Sequence, residues 1–303
     1  MKPRICIMAT IAIALCCIFL SCQTLAAVAD IGAQAAGAAG VIDKNTANAI
    51  SKSSQAIASA AEEINPEQEY YIGRAVAANI LSSYKIWNEN PAQIAYVNKI
   101  CSAIVINSPR PDLYNGYHVM LLDNNEINAF ATPGGHIFIT RGLLNSAKSE
   151  DALAGVIAHE IAHIQLQHSI KAIKTSRITQ ALIVTGTSAA GAAAGYDVDE
   201  LTGIFNESVG EIVTTMVNNG YSQNQEFDAD STALSLLASA GYSPSGLIDM
   251  LNELNKTQNS SPGGFNKTHP TPAQRITSAQ KSISKHKVTD TSSYRQARFA
   301  GVK

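Results

Sequence analysis

The sequence has almost no cysteine where a folded domain could use it. Of its five cysteines, Cys6, Cys16, Cys17 and Cys22 fall within the first 22 residues, which leaves Cys101 alone in the body of the chain. An intramolecular disulfide framework is thereby excluded. Cys101 sits in an apolar helical stretch and reads as a small buried hydrophobe rather than a nucleophile. Charge is sparse as well: 15% of residues carry it, and the formal net charge is −2, becoming −4 if Lys2 and Arg4 are lost with a leader. That balance argues against a nucleic-acid surface and against electrostatic membrane binding. No repeat period is visible, so a solenoid is excluded. The longest apolar run, Ile5 to Leu20, is short of the roughly 20 residues that a membrane span requires. What remains beyond it is long enough for one domain with a substantial core.

Lys2 and Arg4 precede that run, the order of an export signal. Two cleavage positions compete. Phe19-Leu20-Ser21-Cys22 approximates a lipoprotein box in which Cys22 becomes the lipidated first residue, whereas Ala27-Val28-Ala29 offers an ordinary small-x-small cut before Asp30. Lipidation at Cys22 is favoured, because a cysteine directly after a short apolar run is otherwise unexplained. Gln23 stands where an aspartate would resemble a bacterial inner-membrane retention signal. The expected location is therefore the periplasm, with a lipid anchor in the outer membrane.

The chain then divides by composition. Residues 23–64 are rich in Ala, Gly, Ser and Asn and read as a leader or tether, within which the alanines allow weak helix. A folded domain is expected over 65–284, and a polar tail over 285–303 is expected to fray. Pro66, behind Asn65 and followed by Glu67 and Glu69, opens a helix. A second helix is expected from Pro91, a short strand over Tyr117 to Leu122, and a hairpin in which Pro133-Gly134-Gly135 turns the chain between two extended pieces. Ser149 caps the next helix, and further helices are expected from Ser222, after Pro244 and over 273–284. Residues 186–206, rich in Ala and Gly, read either as a closely packed small-residue helix or as a cover over the site. The fold class is α+β, mostly helical with a small sheet.

His159-Glu160-Ile161-Ala162-His163 is the strongest motif. Residues four apart share a helical face, so both imidazoles can reach one metal ion while Glu160 projects beside it. A zinc ion acidifies water, and Glu160 would take the proton as that water attacks a peptide carbonyl, then deliver it to the leaving amine. The surrounding helix is apolar, so these polar groups would be costly passengers without a ligand. A catalytic zinc needs a third protein ligand and an open fourth position. His168 lies nine residues beyond His159, which at about 100° per residue points it to the opposite side of a continuous helix, and it reads as structural or surface. Glu226 and Asp230 are better candidates: four apart on one helical face, one can bind metal while the other orients a ligand. Chemistry alone does not choose between them.

Four motifs together resemble the M48 family of zinc peptidases: Asn128-Ala129-Phe130-Ala131-Thr132-Pro133-Gly134-Gly135, His159 to His163, Glu226-x-x-Ala229-Asp230 and Thr268-His269-Pro270. The resemblance covers about residues 65–284 and is narrowest to soluble bacterial periplasmic members, including lipoproteins of outer-membrane quality control. It implies a zincin-like domain holding one Zn2+ per chain through His159, His163 and Glu226, with Asp230 behind the ligands. It also implies that Asn128, Ala129, Phe130 and Ala131, with the Gly134-Gly135 turn, form an edge strand lining the cleft. An extended substrate could pair there through its backbone.

Further implications are a role for His269 at the metal, either as a plug or as a transition-state donor. Arg275 could brace the loop against Asp228 or Asp230. Protein or peptide substrates are expected, namely unfolded or misassembled envelope proteins, with outer-membrane assembly components as possible partners and no nucleic acid. Related proteins with tandem helical repeats or several membrane spans differ from this chain, so partner recognition is expected from the domain or its leader. Two rival readings stand beside the protease: a latent enzyme acting as a chaperone or assembly factor, and a zinc that only staples helices.

Overall fold

A computed structural model describes residues 22–60, 64–171, 209–210, 212–214, 220–257, 265–269 and 272–302. The 186–206 segment lies outside the described residues. The chain divides into two compact units, one of residues 1–63 and 173–204, the other of 64–172 and 205–303.

In the first unit two helices, α1 (Cys22–Ala38) and α2 (Lys44–Ala60), are packed together. The stretch expected as a tether is therefore helical. Its alanines allow close approach, and Ala33 and Ala47 are buried. Asp43 starts α2 by accepting the backbone N–H groups of Asn45 and Thr46, each at 2.9 Å.

The second unit begins with α3 (Pro66–Ser83). Asn65 and Gln68 cap it reciprocally: Asn65 Oδ1 accepts the Gln68 N–H at 2.8 Å, and Gln68 Oε1 accepts the Asn65 N–H at 3.0 Å. α4 (Pro91–Val105) follows, then β1 (His118–Leu122), β2 (Ala129–Ala131) and β3 (His136–Thr140). The sheet order is β1-β3-β2, with β3 parallel to β1 and antiparallel to β2. Central β3 is buried on both faces through Ile137, Phe138 and Ile139, which suits its unbroken apolar run. The turn before it places Gly134 at φ 73° against the Tyr70 backbone, and Gly73 of α3 meets the Pro133 carbonyl so closely that a side chain there would clash.

A short helix α5 (Arg141–Ser146) leads to α6 (Glu150–Gln165), which carries the metal motif. Ser149 Oγ accepts the Ala152 N–H at 3.1 Å, as expected of the cap. Every residue of α6 except Gln165 is buried. Its sequence has no polar stripe because it has no solvent face. The strands pack on one side of it, while α7 (Gln223–Ser239) and α8 (Ser245–Thr257) pack on others. Beyond the short α9 (Phe265–Thr268) and α10 (Pro272–Ser282) comes α11 (Ser292–Ala300).

That last helix corrects an expectation. The polar tail does not fray: Phe299 is buried in the core, Arg295 Nε lies 2.9 Å from Asp151 Oδ1, and Arg298 Nη2 lies 2.6 Å from Glu150 Oε1. The two acidic residues that open α6 are thus held by the end of the chain. Polar composition concealed a helix with one buried aromatic and two ion pairs.

Candidate metal centre

α6 presents His159 and His163 on one face, and their Nε2 atoms are 3.0 Å apart. α7 brings Glu226 opposite them: Oε2 is 3.5 Å from His159 Nε2, and Oε1 is 3.5 Å from His163 Nε2. His269, just past α9, completes the group with Nδ1 3.0 Å from Glu226 Oε1 and 3.2 Å from His159 Nε2. All four residues are buried, and one donor atom from each lies within 4.8 Å of the rest. Among the described residues this is the one such grouping of three or more His, Cys, Asp or Glu side chains.

The donor set fits a zinc ion. Imidazole nitrogen and carboxylate oxygen are its usual partners besides thiolate, and four suits its preferred coordination number. Each of the two imidazoles also has a partner at its outward nitrogen. His159 Nδ1 donates to Asp230 Oδ1 at 2.9 Å, leaving Nε2 as the lone-pair donor. His163 Nδ1 contacts His168 Nδ1 at 2.9 Å, with Nε2 of the same ring facing the group. Burial and Arg275 push the His159 pKa down, yet hydrogen bonds to Asp230 and Glu226 outweigh them and raise it to about 9. A metal ion therefore competes with a proton at this ring.

The two glutamates of the centre are treated differently. Burial acts to raise the Glu226 pKa, but His269 and the Arg275 guanidinium hold it well below the usual carboxylate value. Arg275 is fully buried, donates to both Asp230 oxygens at 2.8 and 2.7 Å, and places Nη1 2.9 Å from Glu226 Oε2. Of the two expected partners for Arg275 it takes Asp230, while Asp228 is exposed. Glu160, by contrast, is buried with no hydrogen bond to either carboxylate oxygen, and burial raises its pKa. His269 Nε2 lies 3.5 Å from its Oε1.

β2 lies at the sheet edge, as expected of Asn128 to Ala131, but it is covered. Ala129, Phe130 and Ala131 are all buried. The Thr140 N–H to Asn128 and Thr132 N–H to His136 bonds fix the ladder so that Ala129 and Ala131 turn their backbone groups to the free edge. Asn128 Oδ1 takes the Ala129 N–H at 2.9 Å and also accepts from Thr268 Oγ1 at 3.2 Å. Gly134 and Gly135 sit in the turn beyond, against Tyr70 and Gly116.

His168 requires a correction. It is buried against His163 rather than turned away, because α6 stops at Gln165 and Gln167 adopts a left-handed φ of 54°. The chain reverses there and carries His168 back beneath the helix end. Tyr221 was not foreseen either. Its ring stacks on His163 at 4.1 Å and its hydroxyl meets Ser169 Oγ at 2.7 Å, with only its place before the Ser222 cap as a sequence cue. Phe265, stacked on His269 at 4.2 Å, gave no cue.

Among known proteins the chain is 24% identical over 253 residues to the beta-barrel assembly-enhancing protease of Yersinia pestis, covering 80% of this chain and 49% of that one. It is 30% identical over 151 residues to metalloprotease LoiP of Escherichia coli (strain K12), with 50% and 56% covered. To the mitochondrial metalloendopeptidase OMA1 of Schizosaccharomyces pombe (strain 972 / ATCC 24843) it is 29% identical over 187 residues, with 60% and 50% covered. The chain spans about half the length of the curated relatives it matches. The pattern of peptidase family M48 matches residues 91–283, a stretch that contains the whole sheet, the metal-motif helix and all four converging donors. The chain belongs to peptidase family M48.

Proposed function

We propose that this chain is a zinc-dependent endopeptidase of the bacterial cell envelope, acting on unfolded or misassembled proteins there. The observation that carries the reading is the pairing, at one buried centre, of a lone-pair cluster suited to zinc with a carboxylate that has no hydrogen-bond partner. His159, His163 and Glu226 would hold the ion. When bound, zinc supplies Lewis acidity that polarises a peptide carbonyl and makes water easier to deprotonate. Glu160 takes the proton from the attacking water and returns it to the leaving amine. Burial suits it to this exchange, since a raised carboxyl pKa moves the group toward the operating pH. Asp230 fixes the His159 tautomer, and Arg275 holds Asp230 and Glu226 in register.

The envelope assignment rests on the leader pattern with its candidate lipidation site at Cys22, and on relatives named for β-barrel assembly. A domain start at residue 65 belongs to the same reading, as does the outer-membrane anchor. Among the described residues no helix is long and apolar enough to cross a membrane. Substrate would lie along the outer edge of β2, pairing with the backbone of Ala129 and Ala131 after Asn128 releases it.

A second reading draws on His269. Its Nδ1 lies with the other three donors, which supports a latent enzyme in which this histidine would take the position that substrate and water require. Casein cleavage by zinc-loaded wild type and His269→Ala separates the two. Wild-type cleavage abolished by chelation supports the protease, and cleavage seen only in the variant supports latency. Zinc-loaded protein inactive in both forms would remove the endopeptidase reading and leave a binding or assembly role.

A further inference from the structure

The reversal after α6 builds a support behind one metal-facing ring. His163 directs Nε2 into the donor cluster, so Nδ1 on its far side needs a partner within a buried setting. Among the described residues the group in reach of that atom is the His168 ring, Nδ1 to Nδ1 at 2.9 Å, with the rings edge to face at 72°. Two imidazole nitrogens at that separation share one proton, and its position decides which nitrogen of His163 is bare. If His163 Nδ1 carries it, His163 Nε2 is free to bind metal; if His168 Nδ1 carries it, His163 Nε2 is protonated and cannot.

The surrounding chain is arranged to keep His168 there. Gln167 holds the left-handed conformation that costs a non-glycine residue energy, a strain that persists only when neighbours enforce it. Its side chain donates to Glu69 Oε2 at 2.9 Å, and Arg110, paired with the same Glu69 at 3.2 Å, donates to the Ile164 carbonyl at 3.3 Å at the end of α6. The buried Glu69 thereby ties the reversal to the helix terminus. Ser169, next in sequence, holds the Tyr221 hydroxyl, and the Tyr221 ring stacks on the face of His163. His163 is thus fixed from behind by His168 and from one face by Tyr221, and both supports descend from the same turn.

We infer that His168 is a positioning residue of the metal centre: it accepts the Nδ1 proton of His163 and so keeps the bare Nε2 of His163 turned toward the metal. The inference rests on the proposal that His163 is a zinc ligand. It goes beyond that proposal because it assigns a dedicated partner to one ligand, as Asp230 serves the other. A neutral nitrogen acceptor behind His163 and a carboxylate behind His159 would make the two imidazoles unequal, the one beside Asp230 the more basic.

The test uses full-length zinc-loaded protein and reads metal affinity rather than turnover. Zinc competition with a chromogenic chelator and the absorption spectrum of the cobalt-substituted form are measured for wild type, His168→Phe and His168→Asn. Phe keeps a ring without an acceptor, while Asn sets a carbonyl oxygen where Nδ1 stood. The expected result is zinc affinity reduced about 10–100-fold in His168→Phe with an altered cobalt spectrum, and His168→Asn restored close to wild type. Wild-type affinity and spectrum in His168→Phe would overturn the inference, as would equal losses in both variants. Should His168→Phe fail to fold, ring nitrogen shifts of histidine-labelled wild-type protein decide it. A His168 ring protonated at Nε2 and bare at Nδ1 supports the role, and a proton on His168 Nδ1 contradicts it. A wild type that binds no stoichiometric zinc or cobalt would instead remove the metal-centre proposal itself, and this inference with it.

Discussion

The two helices that meet at the centre place buried glutamates in opposite surroundings. On α7, Glu226 lies against Arg275, His159, His163 and His269, and its pKa is held far down despite burial. On α6, Glu160 has neither carboxylate oxygen hydrogen-bonded, and burial raises its pKa. A metal ligand must stay ionised and in place, whereas a proton carrier must be able to gain and lose a proton. Under the proposed assignment the same side chain would serve either purpose, with the environment dividing the roles.

The largest effect should come from neutralising the unpartnered member. Glu160→Gln should leave zinc content at one per chain and reduce casein cleavage about 10²–10⁴-fold. Undiminished cleavage in a protease-free preparation would end the division of roles drawn above. Asp230→Asn, which keeps the side-chain size but weakens the hold on Arg275 and His159, should lower zinc affinity about 10–100-fold. A change below that range would mean that Arg275 holds the site through Glu226 alone.

Stability against pH sharpens the contrast further. A carboxyl whose folded pKa lies above the usual 4.5 costs the folded state stability as pH rises past that value, and costs nothing well below it. Metal-stripped Glu160→Gln should therefore melt above metal-stripped wild type at pH 7, with the two converging below about pH 4.5. Glu226 has the opposite sign: its ionised form contributes stability above 4.5 that is lost as pH falls through its depressed pKa. Equal melting temperatures for wild type and Glu160→Gln at pH 7 would show that Glu160 is not penalised by burial. Away from the centre, Phe299→Ala should cost about 3 kcal/mol in denaturant unfolding while leaving the zinc-to-protein ratio unchanged. No loss of stability would indicate that α11 does not hold the start of α6.

Much of this was legible in the sequence, and the failures have physical reasons. His159, Glu160 and His163 announce a helical face because four-residue spacing is a property of the helix itself. Glu226 and Asp230 were recognisable as a pair, but their different surroundings depend on Arg275, which arrives from a distant helix and touches both. His168 was misplaced because a rotation of about 100° per residue was carried past the end of α6, where the left-handed Gln167 cancels it. The tail was misread because one buried Phe299 and two arginines paired across the fold leave no periodic trace. The edge position of β2 was foreseen, but not the Asn128 side chain that occupies its outward N–H.

The most direct test of the account is the zinc content of Glu226→Ala after exhaustive dialysis, measured beside Asp230→Ala on protein shown by circular dichroism to be folded. Loss of zinc in Glu226→Ala, with metal retained but bound less tightly in Asp230→Ala, is the expected result. Full zinc occupancy in folded Glu226→Ala, with metal lost only when Asp230 or His168 is changed, would contradict it.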